Sequence, residues 1–563
     1  MSPVSAGTVS ARVAAALEAR ATDVFGVMGN GNAWFLDAVV TSTAMTFTAV
    51  RHEAGAVAAA DAYYRASGRV AVATTTFGPG FTNAITPLTE AAQARIPLVL
   101  VTGAPPSARR AWDVDQRVLT EAAGAHYVDV AQLGPTEGAR HAVRLALADR
   151  RPVVLAVPYD IAAEPAEPAA EPDSDRPETG RPDADPVGAL LPPIPADEIT
   201  EAAARLGGAE RPLVLAGRGA WLSHAQDAAS ALARDLGALT TTSALAMGFF
   251  DTDDDLGVCG GFATPVTAAL IASADVVLVL GAGLNQFTTR FGDAFARDAH
   301  VIQVDLAERA TSARVDSFLR GDVSELVAAL IAALPDARAG AWVRPLRADI
   351  VRREPGDDRA ADGRLDPRSA MRRIDALLPH DRVVVQDGGH FIGWAPTYLG
   401  IPSPDRLLMV GTAFQTIGLG LPSAVGAGRA RPDSTIVVCS GDGGALMALA
   451  DLETVVRSVR HGVVLIFNDA AYGAEVHQYG VRGIDERPML IPEVDFAGIA
   501  AALGATSAVI RELDDLAGLE TWLASGAEGV FLADLRVSRD VVAPYMHEVV
   551  AAAGRTGTQL EPS

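Results

Sequence analysis

The chain has no lysine, so all 46 of its basic residues are arginine. That excludes Schiff-base catalysis by a lysine amine, and it excludes the phosphate-binding loop whose lysine reaches the terminal phosphates. Carbonyl chemistry here would need another electron sink. Cysteine is nearly absent as well. Cys259 and Cys439 stand far apart in apolar stretches, which leaves no disulfide framework and no zinc spacing and fits a reducing cytoplasm. No uncharged apolar run is long enough to cross a bilayer, and residues 1–13 lack a basic region followed by an apolar run, so no signal peptide is expected. Positive charge is scarce beside negative. The net charge of −23 argues against nucleic acid and anionic membranes as partners, since both reward basic faces.

What is present is the composition of a globular protein, 49 % apolar and 20 % charged, in a chain of 563 residues that is too long for one core and implies about three domains. Val- and Ile-rich segments alternate with Ala-rich helical patterns. Strands are expected at 70–75, 98–102, 153–157, 213–216, 276–280, 301–304, 383–386, 435–439 and 463–467. This rhythm reads as α/β, with doubly wound parallel sheets. A Pro-, Glu- and Asp-rich stretch at 163–195 cannot bury a core and reads as a linker, and a second polar stretch covers 336–365. The expected domains are 1–162, 196–335 and 366–545, with a polar tail at 546–563. No short-period repeat is evident, and any likeness between the first and third domains is too weak to demonstrate from sequence.

The strongest local signal is Ser440-Gly441-Asp442-Gly443-Gly444, directly after the strand at 435–439. A helix follows, with Leu446, Leu449, Leu452 and Val455 on one face, and the next strand ends at Asn468-Asp469. A right-handed crossover between parallel strands brings both strand ends to the same sheet edge. Asp442 and Asp469 are therefore expected side by side at a glycine-lined helix N-terminus. Backbone N–H groups there suit a phosphate, and two carboxylates with phosphate oxygens suit Mg²⁺. The plain alternative is a tight turn with helix-capping aspartates. The second acidic position, one strand away, weakens that alternative.

These residues resemble a known family. The run from Gly441-Asp442-Gly443 to Asn468-Asp469-Ala470-Ala471-Tyr472-Gly473 is similar to the diphosphate–metal motif of thiamine-diphosphate-dependent enzymes, closest to the branch of acetolactate synthases and 2-oxo acid decarboxylases. The resemblance implies three domains: pyrimidine-binding, central and diphosphate-binding. It also implies that Asp442, Asp469 and the Ala471 carbonyl bind Mg²⁺, with Gly441, Gly443, Gly444, Tyr472 and Gly473 around the diphosphate. The family usually has Asn where Asp469 stands, so an extra negative charge faces the diphosphate. In the first domain Arg51-His52-Glu53, followed by Ala60-Asp61-Ala62-Tyr63-Tyr64-Arg65, resembles the family's glutamate motif. Read alone, Glu53 would be a carboxylate at a helix start. By resemblance it hydrogen-bonds the aminopyrimidine and activates the thiazolium, a role that calls for burial and a raised pKa. Phe77-Gly78-Pro79-Gly80-Phe81-Thr82-Asn83 reads alone as a Gly-Pro turn; by resemblance Pro79 and Asn83 approach the pyrimidine.

Further positions follow from the same resemblance. In Val410-Gly411-Thr412-Ala413-Phe414-Gln415-Thr416-Ile417, Ile417 would support the bent cofactor and the Gln415 carbonyl would accept from its amino group. Gly389 and His390 would touch the diphosphate. Glu475 matches a glutamate that acts as acid or base in some decarboxylases of the family; otherwise it is a solvated helix residue. Asn30, Trp112 and His477 would face substrate. The paired histidines of pyruvate decarboxylase are missing, since Gly103-Ala104-Pro105-Pro106 follows the strand at 98–102. Gly217-Arg218-Gly219 and Gly281-Ala282-Gly283-Leu284 resemble loops that hold FAD in acetolactate synthases, but Leu284 replaces an Arg there and FAD is not favoured. The leading expectation is a carboligase that decarboxylates a pyruvate-like 2-oxo acid and passes the acyl-anion equivalent to an aldehyde or ketone. The alternative within the family is a decarboxylase or C–C lyase using Glu475. A homodimer or homotetramer with sites at the subunit interface is implied. Two readings from other classes fit less well. A dinucleotide-binding oxidoreductase leaves Glu53, Asp442 and Asp469 without roles, and a catalytically dead regulatory homologue would have no need to keep them.

Overall fold

Three runs of Val-, Leu- and Ile-rich strands, each strand followed by a crossover, build three sheets in the computed structural model of the chain. It describes residues 7–106, 108, 110–166, 194–335, 342–343, 347–350 and 352–555. The first sheet holds β1 (Asp23–Gly26), β2 (Thr46–Ala49), β3 (Val72–Thr75), β4 (Val99–Ala104), β5 (His126–Asp129) and β6 (Val153–Pro158). The second holds β7 (Pro212–Ala216), β8 (Leu239–Thr242), β9 (Asp255–Val258), β10 (Val276–Leu280), β11 (His300–Asp305) and β12 (Ser317–Arg320). The third holds β13 (Arg382–Gln386), β14 (Leu407–Leu408), β15 (Thr435–Gly441), β16 (His461–Phe467), β17 (Thr506–Ile510) and β18 (Gly529–Leu535). Every pairing is parallel. Central strands such as β10 and β15 are buried along their whole length, as expected where helices cover both faces of a sheet. The fold is α/β, as the alternating pattern predicts.

Sheet order separates the domains into two kinds. The first runs β2-β1-β3-β4-β6-β5 and the third β14-β13-β15-β16-β18-β17, the same order of strands. The second runs β12-β11-β10-β7-β8-β9, the order of a dinucleotide-binding sheet. The first and third domains also share one apolar core, in which Ala56, Tyr63 and Leu98 pack with Val383, Leu421 and Ile436. Its seam is a helix pair. Helix Glu53–Ser67 is alanine-rich, which favours helix and leaves little bulk on its surface, so helix Gly420–Ala430 lies close against it. At the crossing, a Cβ on Gly426 would collide with the Ala59 carbonyl oxygen.

Most of the 163–195 linker lies outside the described residues. Its start runs beside the N-terminus, where Val9 N–H donates to the Glu164 carbonyl at 3.0 Å. The 336–365 stretch is described only in part. There Trp342 Nε1 donates to the Pro212 carbonyl at 2.7 Å, and Leu365 is fully buried. The tail expected from residue 546 is instead a helix, Pro544–Arg555, as far as residue 555; residues 556–563 lie outside the described set. Tyr545 and Met546 are buried, with Val549 and Val550 packed on the same core, and Glu548 pairs with Arg290. Those apolar residues share one helical face, the spacing of an amphipathic helix packed on a core.

Candidate active site

Parallel pairing puts Gly441 opposite Phe467, so β15 and β16 deliver Asp442 and Asp469 to one sheet edge. Asp442 opens the short helix Asp442–Met447 and is 2 % exposed. Its Oδ1 accepts from the Gly443 N–H at 2.8 Å, while Oδ2 is buried with no partner. Asp469 Oδ1 accepts from the Ala471 N–H at 3.1 Å. Between them Ala470 sits at φ 60°, a left-handed conformation that costs a non-glycine residue about 1 kcal/mol and is held by the surrounding turn. Burial pushes the Asp442 carboxyl up to about 6; burial and then the charge of Asp442 push Asp469 up to about 7. Two carboxylates that resist ionisation when alone, one with an orphaned oxygen, fit a divalent cation that would supply the missing charge. Among the described residues no group of three or more His, Cys, Asp or Glu side chains could hold a metal, so such an ion would need oxygens from elsewhere.

The space around the pair is kept by missing side chains. A Cβ on Gly443 would lie 2.5 Å from the Tyr472 ring, and one on Gly473 would lie 2.9 Å from Asp469 Oδ2. Gly389, His390, Gln415, Ile417, Ala471 and Glu475 line the same cavity of about 2120 Å³, which the central domain closes with its 281–287 loop. His390 is 6 % exposed, and its Nε2 accepts from the Ala543 N–H at 2.8 Å. The ring is therefore neutral with its proton on Nδ1. Burial, then His477 with its ring centroid 4.5 Å away, push the His390 pKa down to about 3. His477 itself stands behind the cavity wall, its Nε2 buried and unpartnered. Glu475, expected to be poised by burial if catalytic, is exposed in the single chain because helix Gly473–Tyr479 turns it into the open cavity.

Asp387 is a residue that sequence reasoning missed. It is fully buried, with its carboxyl pushed up by burial. Oδ1 accepts from the N–H groups of Gly388 (2.8 Å) and Gly418 (3.0 Å), and Oδ2 accepts from Ser440 Oγ (2.9 Å). One side chain thus ties together three loops of the cavity. The available signal was Val-Val-Val-Gln-Asp-Gly-Gly at β13, the same strand-to-glycine format as Ser440–Gly444.

The first-domain candidates form a separate group. Glu53 begins helix Glu53–Ser67, and its Oε2 accepts from Asn83 Nδ2 at 3.0 Å. Pro79 opens the short helix Pro79–Thr82, behind Gly78 at φ 62°. Asn30 accepts from Tyr159 OH at 3.3 Å; Trp112 is 61 % exposed, beside Arg110, whose guanidinium lies over the Phe77 ring at 4.1 Å. Glu53 is half-buried rather than buried. The reason is its position: the adjoining Arg51 N–H donates to Asp451 of the chain's own third domain, while the face of Glu53 and Asn83 stays open. Glu53, Pro79, Asn83, Asn30 and Trp112 do not line the cavity around Asp442.

With that geometry in hand, the chain matches three family models: "Thiamine pyrophosphate enzyme, N-terminal TPP binding domain" over residues 7–127, the family's central domain over 199–330, and its C-terminal TPP binding domain over 387–531. The chain belongs to the thiamine pyrophosphate enzyme family. Its relatives include an acetolactate synthase large subunit of Parasynechococcus marenigrum, 29 % identical over 82 % of this chain and 76 % of that one. A probable 2-ketoarginine decarboxylase of Pseudomonas aeruginosa is 31 % identical over 86 % of each. Among solved structures, a thiamine-diphosphate-dependent 4-hydroxybenzoylformate decarboxylase of Rhodococcus jostii shares the fold, with a TM-score of 0.76 at 21 % identity over 94 % of this chain and 99 % of that one. No helix among the described residues is long and apolar enough to cross a membrane.

Proposed function

We propose that this family member decarboxylates a pyruvate-like 2-oxo acid and transfers the acyl-anion equivalent to an aldehyde or ketone, using thiamine diphosphate and Mg²⁺. The carrying observation is the buried, partnerless Oδ2 of Asp442 beside Asp469 at a glycine-lined helix start. Asp442, Asp469 and the Ala471 carbonyl hold Mg²⁺ in this reading. The backbone around Gly443 and Gly444 and the neutral His390 receive the diphosphate. Gln415 and Ile417 hold the bend of the cofactor. When bound, the cofactor supplies the carbanion and electron sink that a chain without lysine cannot. Glu53 moves the activating proton, and because Glu53, Pro79 and Asn83 do not line the chain's own cavity, they serve the cavity of a second copy. Packing against that copy supplies the burial Glu53 lacks alone.

Carboligation is supported by the Gly103-Ala104-Pro105-Pro106 turn, which carries no paired histidines. A second reading, decarboxylation to a free aldehyde, is favoured by Glu475 on the cavity wall, where it could deliver a proton. The test is consumption of pyruvate and other 2-oxo acids by apo-protein, with and without thiamine diphosphate and Mg²⁺, with products analysed in the presence and absence of acceptor aldehydes. Cofactor-dependent turnover giving an acyloin-type product supports the proposal. Aldehyde alone moves it to the second reading, and no turnover with no calorimetric cofactor binding overturns both.

A further inference from the structure

Glu90 is a charged residue with no exposed surface, on helix Ile85–Gln93 of the first domain. Its Oε2 accepts from the Phe414 N–H at 2.6 Å, across 324 residues of sequence, and its Oε1 pairs with Arg65 Nη2 at 3.3 Å. Arg65 is itself buried, pairs with Asp61 one turn back on helix Glu53–Ser67, and donates through Nη1 to the Met409 carbonyl at 3.4 Å. The Asp61–Arg65–Glu90 cluster therefore grips the 409–414 segment of the third domain through the Met409 carbonyl and the Phe414 N–H, with the Gly411 backbone also interacting with Glu90. The other end of the loop is held by Asp387 through the Gly418 N–H, and Thr416 N–H closes back on the Gly411 carbonyl at 2.9 Å. Between these anchors Gln415 is forced to φ 62°, a conformation that persists only when its neighbours impose it.

A buried ion pair is weak evidence of stabilisation, because apolar side chains of similar volume commonly do as well. This one supplies something apolar side chains cannot, a buried hydrogen-bond acceptor in reach of a loop amide. We infer that Glu90 is a positioning residue: with Arg65 it sets the 411–417 loop so that Gln415 and Ile417 present the conformation the cofactor needs. The inference rests on the functional reading above for the roles of Gln415 and Ile417. It also makes one structural unit of helix Glu53–Ser67, since the element that starts at Glu53 carries, about three turns later, the arginine that anchors this loop.

The test compares wild type with Glu90→Ala, Glu90→Asp and Glu90→Gln. Aspartate keeps the charge opposite Arg65 but withdraws the oxygen from Phe414; glutamine keeps an oxygen in reach and drops the charge. Thermal melting identifies the folded variants, and Glu90→Asp remains informative if Glu90→Ala does not fold. Amide exchange of the 409–419 segment in the cofactor-free protein is the first readout. It should be about tenfold or more faster in Glu90→Asp and Glu90→Ala and near wild type in Glu90→Gln. In the loaded protein, apparent thiamine diphosphate Kd should rise and kcat for the 2-oxo acid should fall about tenfold in the same two variants, with KM within about twofold. A folded Glu90→Asp whose loop exchange and cofactor Kd match wild type would overturn the inference. A wild-type chain that binds no thiamine diphosphate would overturn the functional reading instead, and the exchange result would still report whether Glu90 holds the loop.

Discussion

In the third domain β15 and β16 end in Asp442 and Asp469, drawn to a buried turn and raised in pKa together. In the first domain the strands at the same places in the order, β3 and β4, end in Thr-Phe-Gly-Pro-Gly and Gly-Ala-Pro-Pro, beside a Glu53 that stays half-open. One scaffold has thus been given two jobs. Topology decides that both sheets present their loops at the carboxyl edge, and in the proposed reading loop residues decide whether that edge receives an anion with a metal or offers a proton-transfer carboxylate. The burial difference carries a second lesson. The third domain's groups are enclosed by their own chain and the central domain, whereas the first domain's groups face outward, as a surface awaiting another copy would.

The sharpest break of that comparison is Asp442→Asn, which removes the charge at the better-enclosed end. Calorimetric affinity for thiamine diphosphate in Mg²⁺ should fall about 100-fold or more, with the melting temperature of the apo-protein unchanged or raised. Next is the seam joining the two domains. Gly426→Ala forces a methyl against the Ala59 carbonyl and should destabilise by about 1–3 kcal/mol in denaturant unfolding, whereas Gly7→Ala, with open space around it, should be neutral. The third prediction uses pH. Asp442 and Asp469 have folded pKa values of about 6 and about 7, above the ordinary 3.8, so their contribution to apo stability is full below 3.8 and lost as pH rises through those values. Mg²⁺ must displace the protons, so its stabilising effect on melting should grow from pH 6 to pH 8, with apparent affinity changing roughly tenfold per unit across pH 6–7. The smallest effect is expected from Glu475→Gln. Under the carboligase reading it changes the ratio of ligated product to free aldehyde by roughly threefold; a loss of about 100-fold in donor consumption would make Glu475 the proton-transfer group of a decarboxylase.

The paired aspartates were legible because a parallel crossover fixes where two consecutive strand ends go, and glycine marks the turn between them. The three-sheet architecture was legible for the same reason: fully buried strands read as unbroken Val, Leu and Ile runs. Asp387 and Glu90 were not legible, because their partners come from loops that pattern alone does not bring near, Gly418 in one case and Phe414, 324 residues away, in the other. β14 has only two residues, too few for any periodic signal. The helix Pro544–Arg555 was misjudged as part of a polar tail although Tyr545, Met546, Val549 and Val550 stand at helical spacing; the polar run begins only at its end, with Arg555. The half-exposure of Glu53 was not legible either, because a motif read from sequence carries no information about what covers it.

The central claim is that the first and third domains supply the two ends of one site from different chains. Co-expressing Glu53→Gln with Asp442→Asn tests it, each variant being expected to lose activity when expressed alone. In a mixed dimer one site then receives both substitutions and the other receives neither. Thiamine-diphosphate-dependent turnover of a 2-oxo acid should return to about a quarter of wild type, because about half of randomly paired dimers are mixed and half of their sites are intact. Mixed protein no more active than either variant, while wild type turns over normally, would contradict the account and place a complete site within each chain.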